Sequence, residues 1–272
     1  MQIFVINLEK DGERRESIKS QLDDLKLPFE FFPGVLGSSL SAKELTENYD
    51  DVKAKRHLCM ALVPAQIGCS LSHTKVYREI IKRKLPCALI LEDDVVLPKS
   101  LPDILREFSS VIDLARPEVI LLSPAECILH PNYRRKIGIN YHILPFKSGF
   151  YTSSYIVTNP GARALLTELF PVWNFADCWN QMKLYKVVDI FAISPALVVQ
   201  DQTTFGSSTT DDTMKILKAL NMGRRGKLLF KCRRAWSKLV DFFYAFYRRN
   251  FVPYAGIFRV GNEFFVNDSP NE

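Results

Sequence analysis

One apolar segment that ends in three consecutive acids constrains the fold of this chain most. Residues 89–95 read LILEDDV. A short apolar run bounded by charge predicts a buried strand, and open α/β sheets bind ligands at the carboxyl ends of their strands. Because adjacent carboxylates near a core repel one another, the pattern indicates a metal–diphosphate site with Glu92 and Asp94 as ligands of Mg²⁺ or Mn²⁺. A solvated turn after a strand is the alternative.

Strands and helices alternate along the first 210 residues, and 47% apolar residues support a large core. Apolar runs predict strands at 2–8, 29–32, 87–91, 119–122, 141–144, 150–157, 187–193 and 197–199. Helical spacing predicts helices at 13–25, 66–84, 98–116 and 159–169, and a loop with a short helix is expected at 36–51. The alternation predicts an α/β fold with a mostly parallel sheet flanked by helices.

The C-terminal part of the chain differs in charge from the rest. We expect a catalytic domain at residues 1–210 and a basic, aromatic helical extension at 211–272. Residues 223–249 carry nine basic residues and one acid, Asp241, whereas the whole chain has a net charge of +6. Apolar residues recur there at helical spacing, among them Trp236, Phe243 and Phe246. Two interpretations stay open: the helix binds an anionic membrane surface, or its aromatic stripe docks on the body. Nucleic-acid binding is not expected, because no recognition fold accompanies the basic helix.

The location of the protein and its thiol state follow from what the sequence lacks. No segment approaches the roughly 18 apolar residues of a membrane span, and residues 1–7 have no basic start of a signal peptide. We therefore expect a cytoplasmic protein with reduced cysteines. The four histidines show no HxxxH or Cys/His ligand spacing, so no structural zinc site is expected.

Three further motifs contain residues whose chemical role has two interpretations. Arg14, near the start of the first helix, suits a nucleotide base or phosphate, or is solvated surface. His73 follows small residues at helical spacing and suits a phosphate or sugar hydroxyl, although a satisfied histidine in a packed helix is the favoured interpretation. Asp177 lies among aromatic residues, where a raised pKa would suit a general base. The alternative is that Asp177 caps the next helix.

These motifs occur in a fixed order along nearly the whole body. They are residues 4–8 with the arginine pair at 14–15, residues 68–73 (GCSLSH), residues 91–95 (LEDDV), Tyr155 with residues 161–162, Asp177, and residues 195–200 (PALVVQ). Together they resemble the lipopolysaccharide-type glycosyltransferases of family 25. That family holds bacterial lipooligosaccharide galactosyltransferases and, more distantly, animal collagen galactosyltransferases.

The resemblance implies a GT-A-like fold, a Mn²⁺ or Mg²⁺ ion, and inversion at the anomeric carbon. It also implies a UDP-sugar donor, with UDP-galactose as the first candidate. It implies Asp94 as the metal ligand together with Glu92, and Asp177 as the base. It further implies a donor-binding set of Asn7, Leu8, Arg14, Ser72, His73, Glu92, Asp93 and Gln200.

The leading hypothesis is a metal-dependent inverting transferase that moves a hexose, galactose first, from a UDP-sugar to a lipooligosaccharide. It would lie on the inner face of the bacterial inner membrane. Alternatives are a transferase of the same fold that uses UDP-glucose or a UDP-N-acetylhexosamine, a nucleotidyltransferase, and a non-catalytic membrane-associated binding protein.

Overall fold

A nine-stranded sheet runs through the structure and organises its buried core. The computed structural model describes residues 1–108, 110–129, 135–201, 235–236 and 238–246, and the backbone of two short strands after residue 256.

The secondary structure begins with a strand and alternates, as the sequence predicts. The strands are β1 (Gln2–Asn7), β2 (Glu30–Pro33), β3 (Cys87–Glu92), β4 (Val95–Val96), β5 (Glu118–Leu121), β6 (Glu126–Cys127), β7 (Arg135–Ile137), β8 (Tyr141–Ser148), β9 (Ser154–Thr158), β10 (Asp189–Ser194), β11 (Val199–Gln200), β12 (Ile257–Val260) and β13 (Glu263–Val266). The helices are α1 (Gly12–Asp24), α2 (Ala42–Asn48), α3 (Asp51–Leu58), α4 (Pro64–Lys82), α5 (Leu101–Phe108), α6 (Asn159–Leu169) and α7 (Trp179–Leu184), with a 3₁₀ turn at Gly37–Ser39. Helix α8 comprises residues 235–236 and 238–246.

The main sheet has the order β2-β1-β3-β9-β5-β10-β8-β6, and β7 pairs with β8. Strand β1 is parallel to β2 and β3, and β10 is parallel to β5, whereas β9 lies antiparallel between β3 and β5. The predicted α/β fold with a mostly parallel sheet is therefore confirmed. Strand β8 departs from the parallel direction because residues 138–140 join it to β7, and so short a connection permits only antiparallel pairing.

Helices cover both faces of this sheet. Ile3 and Val5 of β1 belong to one buried cluster, whereas Phe4 and Ile6 belong to another. Because successive side chains of a strand point to opposite faces, the two clusters are the two faces of the sheet. Burial on both faces explains why the central strands are continuous apolar runs rather than alternating ones.

One predicted helix is shorter in the structure, and one predicted loop region agrees with it. The helix expected at 98–116 is described only over Leu101–Phe108, and the Ser110 hydroxyl donates to the Glu107 carbonyl at 2.7 Å beyond its end. Such side-chain-to-backbone bonds compete with helix continuation. The segment at 36–51, expected to be a loop with a short helix, agrees with the structure: it contains the 3₁₀ turn and all of α2, which Ser41 and Glu44 start with a capping box.

Helix α8 packs on the body through a face that the apolar pattern does not predict. Asp241 contacts His57 of α3 and Tyr185, which follows α7, and Tyr244 donates to Glu168 of α6. The predicted boundary near residue 210, and most of the segment 223–249, lie outside the described residues. Among the described helices, none has the length and apolar character required to span a membrane.

Candidate active site

The site forms where the carboxyl ends of β1 and β3 lie side by side. The register pairs Ile6 with Glu92, so Asn7 and the acids after β3 leave the sheet at the same edge. The buried Asn7 amide donates to Asp93 Oδ2 at 2.7 Å, although 86 residues separate the two in sequence. This bond links the first strand to the acidic segment.

The start of α1 supplies the positive charge of the site. The Arg14 guanidinium donates to Asp93 Oδ1 and to Asp94 Oδ2, each at 3.4 Å, and its side chain is 18% exposed. Arg15 donates to Asn7 Oδ1 at 3.1 Å and stacks over the Phe31 ring. Both arginines of the predicted pair are therefore tied to the site and are not free surface residues.

Asp94 is held by one oxygen only. The Gln200 amide donates to Asp94 Oδ2 at 2.9 Å, and the pairing of β4 with β11 brings the two residues together. Within the described residues, Asp94 Oδ1 is buried and has no hydrogen-bond partner. Burial, followed by the neighbouring Glu92 charge, raises the pKa of Asp94 to about 6. A buried carboxylate oxygen without a donor is the kind of group a hard divalent cation binds, so these residues fit Mg²⁺ or Mn²⁺.

Glu92 lies in a different set of hydrogen bonds. Its Oε1 accepts from the Thr152 hydroxyl at 2.8 Å and is 3.3 Å from His73 Nε2. Burial acts to raise the pKa of Glu92, but the hydrogen bonds from His73 and Thr152 and the His73 charge outweigh it, so the pKa lies below its usual value. His73 Nδ1 is bonded to the Tyr155 hydroxyl at 2.7 Å, which orients the ring toward Glu92.

Asp177 lies in the same electrostatic environment. Burial, and then the charge of Glu92, raise the pKa of Asp177 to about 6. The N-cap residue of α7 is Cys178, with no side-chain cap bond, so the capping interpretation of Asp177 is wrong. Trp173 and Trp179 are buried in the core and do not offer the open aromatic faces that a sugar ring would need.

Cys69 joins His73 and Glu92 in a possible ligand set, contrary to the expectation of no Cys/His ligand spacing. Ligand atoms of Cys69, His73 and Glu92 all lie within 4.8 Å of one another. Cys69 and His73 are four residues apart on α4, so they share one helix face. That spacing was visible in the sequence, but Glu92 joins it only through the fold. This set suits a softer ion than the carboxylates do, and Glu92 belongs to both possible ligand sets.

Two residues of the predicted donor-binding set lie outside these networks. The Ser72 hydroxyl donates to the Gly68 carbonyl at 2.7 Å and accepts from the Val35 amide at 2.8 Å, so it joins α4 to the preceding loop. Leu8 contributes its carbonyl oxygen to the turn at Asp11. Donor binding by these two residues, as by the other members of the set, stays a prediction.

More than half of the chain matches one known protein family. The family model described as "Glycosyltransferase family 25 (LPS biosynthesis protein)" matches residues 1–179. The chain belongs to glycosyltransferase family 25. The match covers the acidic segment, the arginine pair, the Cys69–His73 helix and Asp177, and the resemblance seen in the sequence is confirmed.

Animal members of family 25 are similar over part of the chain. A "Glycosyltransferase 25 family member" of Drosophila melanogaster is 26% identical over 233 residues, 78% of this chain and 37% of the fly protein. "Procollagen galactosyltransferase 1-B" of Xenopus laevis is 28% identical over 196 residues, 64% of this chain and 30% of the frog protein. The match therefore spans only about a third of the length of these relatives.

A solved structure is similar at low identity. It is a glycosyltransferase involved in the glycosylation of the major capsid of PBCV-1, with 15% identity and a TM-score of 0.37, and the match covers 79% of this chain and 98% of that one.

Proposed function

We propose that this family 25 protein is a metal-dependent, inverting galactosyltransferase that uses UDP-galactose as donor. Galactose is favoured because a relative of this chain is named a procollagen galactosyltransferase. The observation that carries the proposal is Asp94 Oδ1, which is buried beside Arg14 and Asp93 at the ends of β1 and β3. Among the residues that the structure describes, it has no hydrogen-bond partner. A bound cation would balance the negative charge of the two acids, and a diphosphate would balance the positive charge of the cation and Arg14.

Different residues of the chain have different roles in the proposed reaction. Asn7 and Arg14 hold Asp93 and keep the acidic segment in place, and Gln200 fixes the second oxygen of Asp94. Asp94 and Glu92 would hold the cation, which when bound supplies the positive charge that neutralises the diphosphate leaving group. His73 and Thr152 orient Glu92, so its carboxylate does not need to reorganise when the donor arrives.

Asp177 is the proposed general base. A pKa of about 6 leaves it ionised at neutral pH and still basic enough to take the proton of an acceptor hydroxyl. That hydroxyl attacks the anomeric carbon from the face opposite the diphosphate, so one displacement inverts the configuration.

The proposed acceptor is the sugar of a lipooligosaccharide, and the proposed location is the inner face of the bacterial inner membrane. The family description names lipopolysaccharide biosynthesis, which supports a glycolipid acceptor. The procollagen galactosyltransferase relatives favour a second candidate, a collagen-type protein acceptor.

A donor and acceptor panel tests the proposal. The full chain is mixed with UDP-galactose, UDP-glucose or UDP-N-acetylglucosamine, with Mn²⁺ or with excess EDTA, and release of UDP is measured. We expect release from UDP-galactose, with Mn²⁺ required, and stimulation by a lipooligosaccharide acceptor. Stimulation by a collagen peptide would select the second acceptor. Release of UDP from only one of the other UDP-sugars would identify that UDP-sugar as the donor. Binding of UDP without any turnover would indicate the non-catalytic alternative.

A further inference from the structure

Helix α8 is fixed to the body by one of its faces. Asp241 Oδ1 lies 2.7 Å from His57 Nδ1 and also accepts from the Tyr185 hydroxyl. Tyr244 donates to Glu168 Oε2 at 2.9 Å, and Ala245 is almost fully buried. Polar contacts at two positions and a buried alanine set the rotation of the helix about its axis.

The opposite face of α8 carries large apolar side chains that stay exposed. They are Trp236 (63% exposed), Leu239 (44%), Phe242 (62%), Phe243 (59%) and Phe246 (55%). We call these five residues the α8 face. With 3.6 residues per turn they cover about 120° of the helix circumference. A contiguous apolar patch of this kind marks an interaction surface rather than an ordinary water-facing surface.

Two exposed basic side chains lie beside the α8 face. Arg56 of α3 lines, together with Trp236 and Phe243, a mostly apolar cleft of about 380 Å³ between α3 and α8. Lys238 is exposed on α8 itself. The sequence from 223 to 249 has one acid against nine basic residues, and that acid, Asp241, points into the body. The surface is therefore complementary to a negatively charged, partly apolar partner.

We propose that the α8 face lies in the interfacial layer of a bilayer that contains anionic phospholipids. The aromatic side chains enter the headgroup region, which favours Trp and Phe at an amphipathic helix. Arg56 and Lys238 lie next to the lipid phosphates and add electrostatic attraction to the anionic surface. The inference extends beyond the proposed reaction and does not depend on it, because lipid binding is measured without substrates.

Vesicle flotation of the full chain tests this. The vesicles are phosphatidylcholine with or without phosphatidylglycerol. We expect the protein to float with the anionic vesicles and to be released in part by salt, since the Debye length falls from about 10 Å at 0.1 M to about 3 Å at 1 M. Because Trp173 and Trp179 are buried, a blue shift of tryptophan emission on binding reports Trp236.

Two pairs of variants separate the apolar and the electrostatic parts. Phe242→Ser/Phe243→Ser should lower the partition coefficient at least about tenfold. Leu129→Ser/Ile139→Ser, which changes two side chains at least as exposed elsewhere, should leave it unchanged. Arg56→Glu/Lys238→Glu should lower binding to anionic vesicles about tenfold or more. Lys43→Glu/Lys136→Glu, a matched reversal elsewhere, should have a much smaller effect.

Several outcomes would overturn the proposal. One is a parent protein that ignores anionic vesicles. Another is a folded Phe242→Ser/Phe243→Ser protein that floats like the parent. If this variant does not fold, Arg56→Glu/Lys238→Glu and its control test the proposal, and equal vesicle binding by those two variants would overturn it. A parent dimer that the serine pair dissociates, without vesicle binding, would assign the α8 face to contacts between copies. Vesicle binding that begins only after deletion of residues 247–272 would assign it to the chain's own C-terminal segment. UDP release measured on the same preparations tests the reaction separately.

Discussion

At the scale of single residues, three neighbouring acids acquire different properties from their partners. Asp93 accepts from Asn7 and Arg14, and Glu92 accepts from Thr152 and faces His73. One oxygen of Asp94 has no hydrogen-bond partner in the described part of the chain. The pKa of Asp94 therefore rises while that of Glu92 falls. The same tripeptide on a solvated turn would not show this division.

Replacing Asp94 by Asn should abolish UDP release but stabilise the metal-free fold at pH 7. The folded-state pKa of about 6 lies above the usual 3.8, so the ionised carboxylate opposes folding above pH 6. The cost is on the order of 1–3 kcal/mol at pH 7 and disappears as the pH falls below about 4. The urea midpoint of Asp94→Asn, measured in EDTA, should therefore exceed that of the parent at pH 7 and converge with it in acid.

The metal provides the control for this prediction. Mn²⁺ should raise the midpoint of the parent but not of Asp94→Asn, and Asp103→Asn, an exposed acid on α5, should behave like the parent. An active Asp94→Asn protein, or one that gains as much stability from Mn²⁺ as the parent, would remove Asp94 from the metal site.

Replacing Asp177 by Asn should lower turnover at least about a hundredfold, in the range typical of a lost general base. Affinity for UDP should change little. Because the base acts in its ionised form, the parent's kcat/KM, measured with Mn²⁺ saturating at every pH so that the titration of Asp94 does not contribute, should rise with pH through about 6. The variant should lack that acid limb. Weak UDP binding with an unchanged pH profile would show that Asp177 acts in donor binding.

At the scale of elements, α4 connects packing to the site. Its first turns lie against the loop before the 3₁₀ turn, and a Cβ added at Gly68 would lie 2.4 Å from the Val35 carbonyl oxygen. Ser72, one turn later, bonds to the Val35 amide. The same helix then places Cys69 and His73 beside Glu92, so the position of α4 determines the orientation of Glu92.

Gly68→Ala should destabilise the fold by about 1–3 kcal/mol, because the backbone contact leaves no room for a methyl group. The matched control is Gly12→Ala at the start of α1, where an added Cβ meets nothing within 4 Å. The difference between the two urea midpoints measures the effect. Equal urea midpoints would mean that the loop at Val35 moves away from the added methyl group without a cost in folding free energy.

At the scale of the whole molecule, helix α8 is attached to the body by residues from distant parts of the chain. His57 and Asp241 are 184 residues apart in sequence, and Tyr185 joins them from a third element. This cluster connects α3, the end of α7 and α8, so the position of the α8 face depends on a few polar contacts.

Asp241→Ala should loosen α8, since losing one partner of a buried hydrogen-bonded group costs about 1–3 kcal/mol. Amide hydrogen exchange of residues 238–246 should accelerate in the full chain, whereas exchange in β1 and β3 should not. Lys238→Ala, an exposed change on the same helix, should have no such effect. Unchanged exchange in Asp241→Ala would show that apolar contacts alone hold the helix.

Local patterns in the sequence determined most elements and the composition of the site. The strands β1 and β3 and the helices α1, α4 and α6 follow from runs and spacings among neighbouring residues, which act over a few positions. The acidic triplet, Arg14, His73 and Asp177 are recognisable for the same reason, since their residue types already specify the chemistry.

Tertiary structure alone decided which of these groups meet and in what state. Nothing near Glu92 in sequence predicts Thr152, and nothing near Asp94 predicts Gln200. The insertion of β9 between β3 and β5 and the face by which α8 docks are likewise set by long-range pairing and packing. The raised pKa values of Asp94 and Asp177 arise chiefly from desolvation. Desolvation sums over every atom packed around a group, and those atoms come from the whole chain.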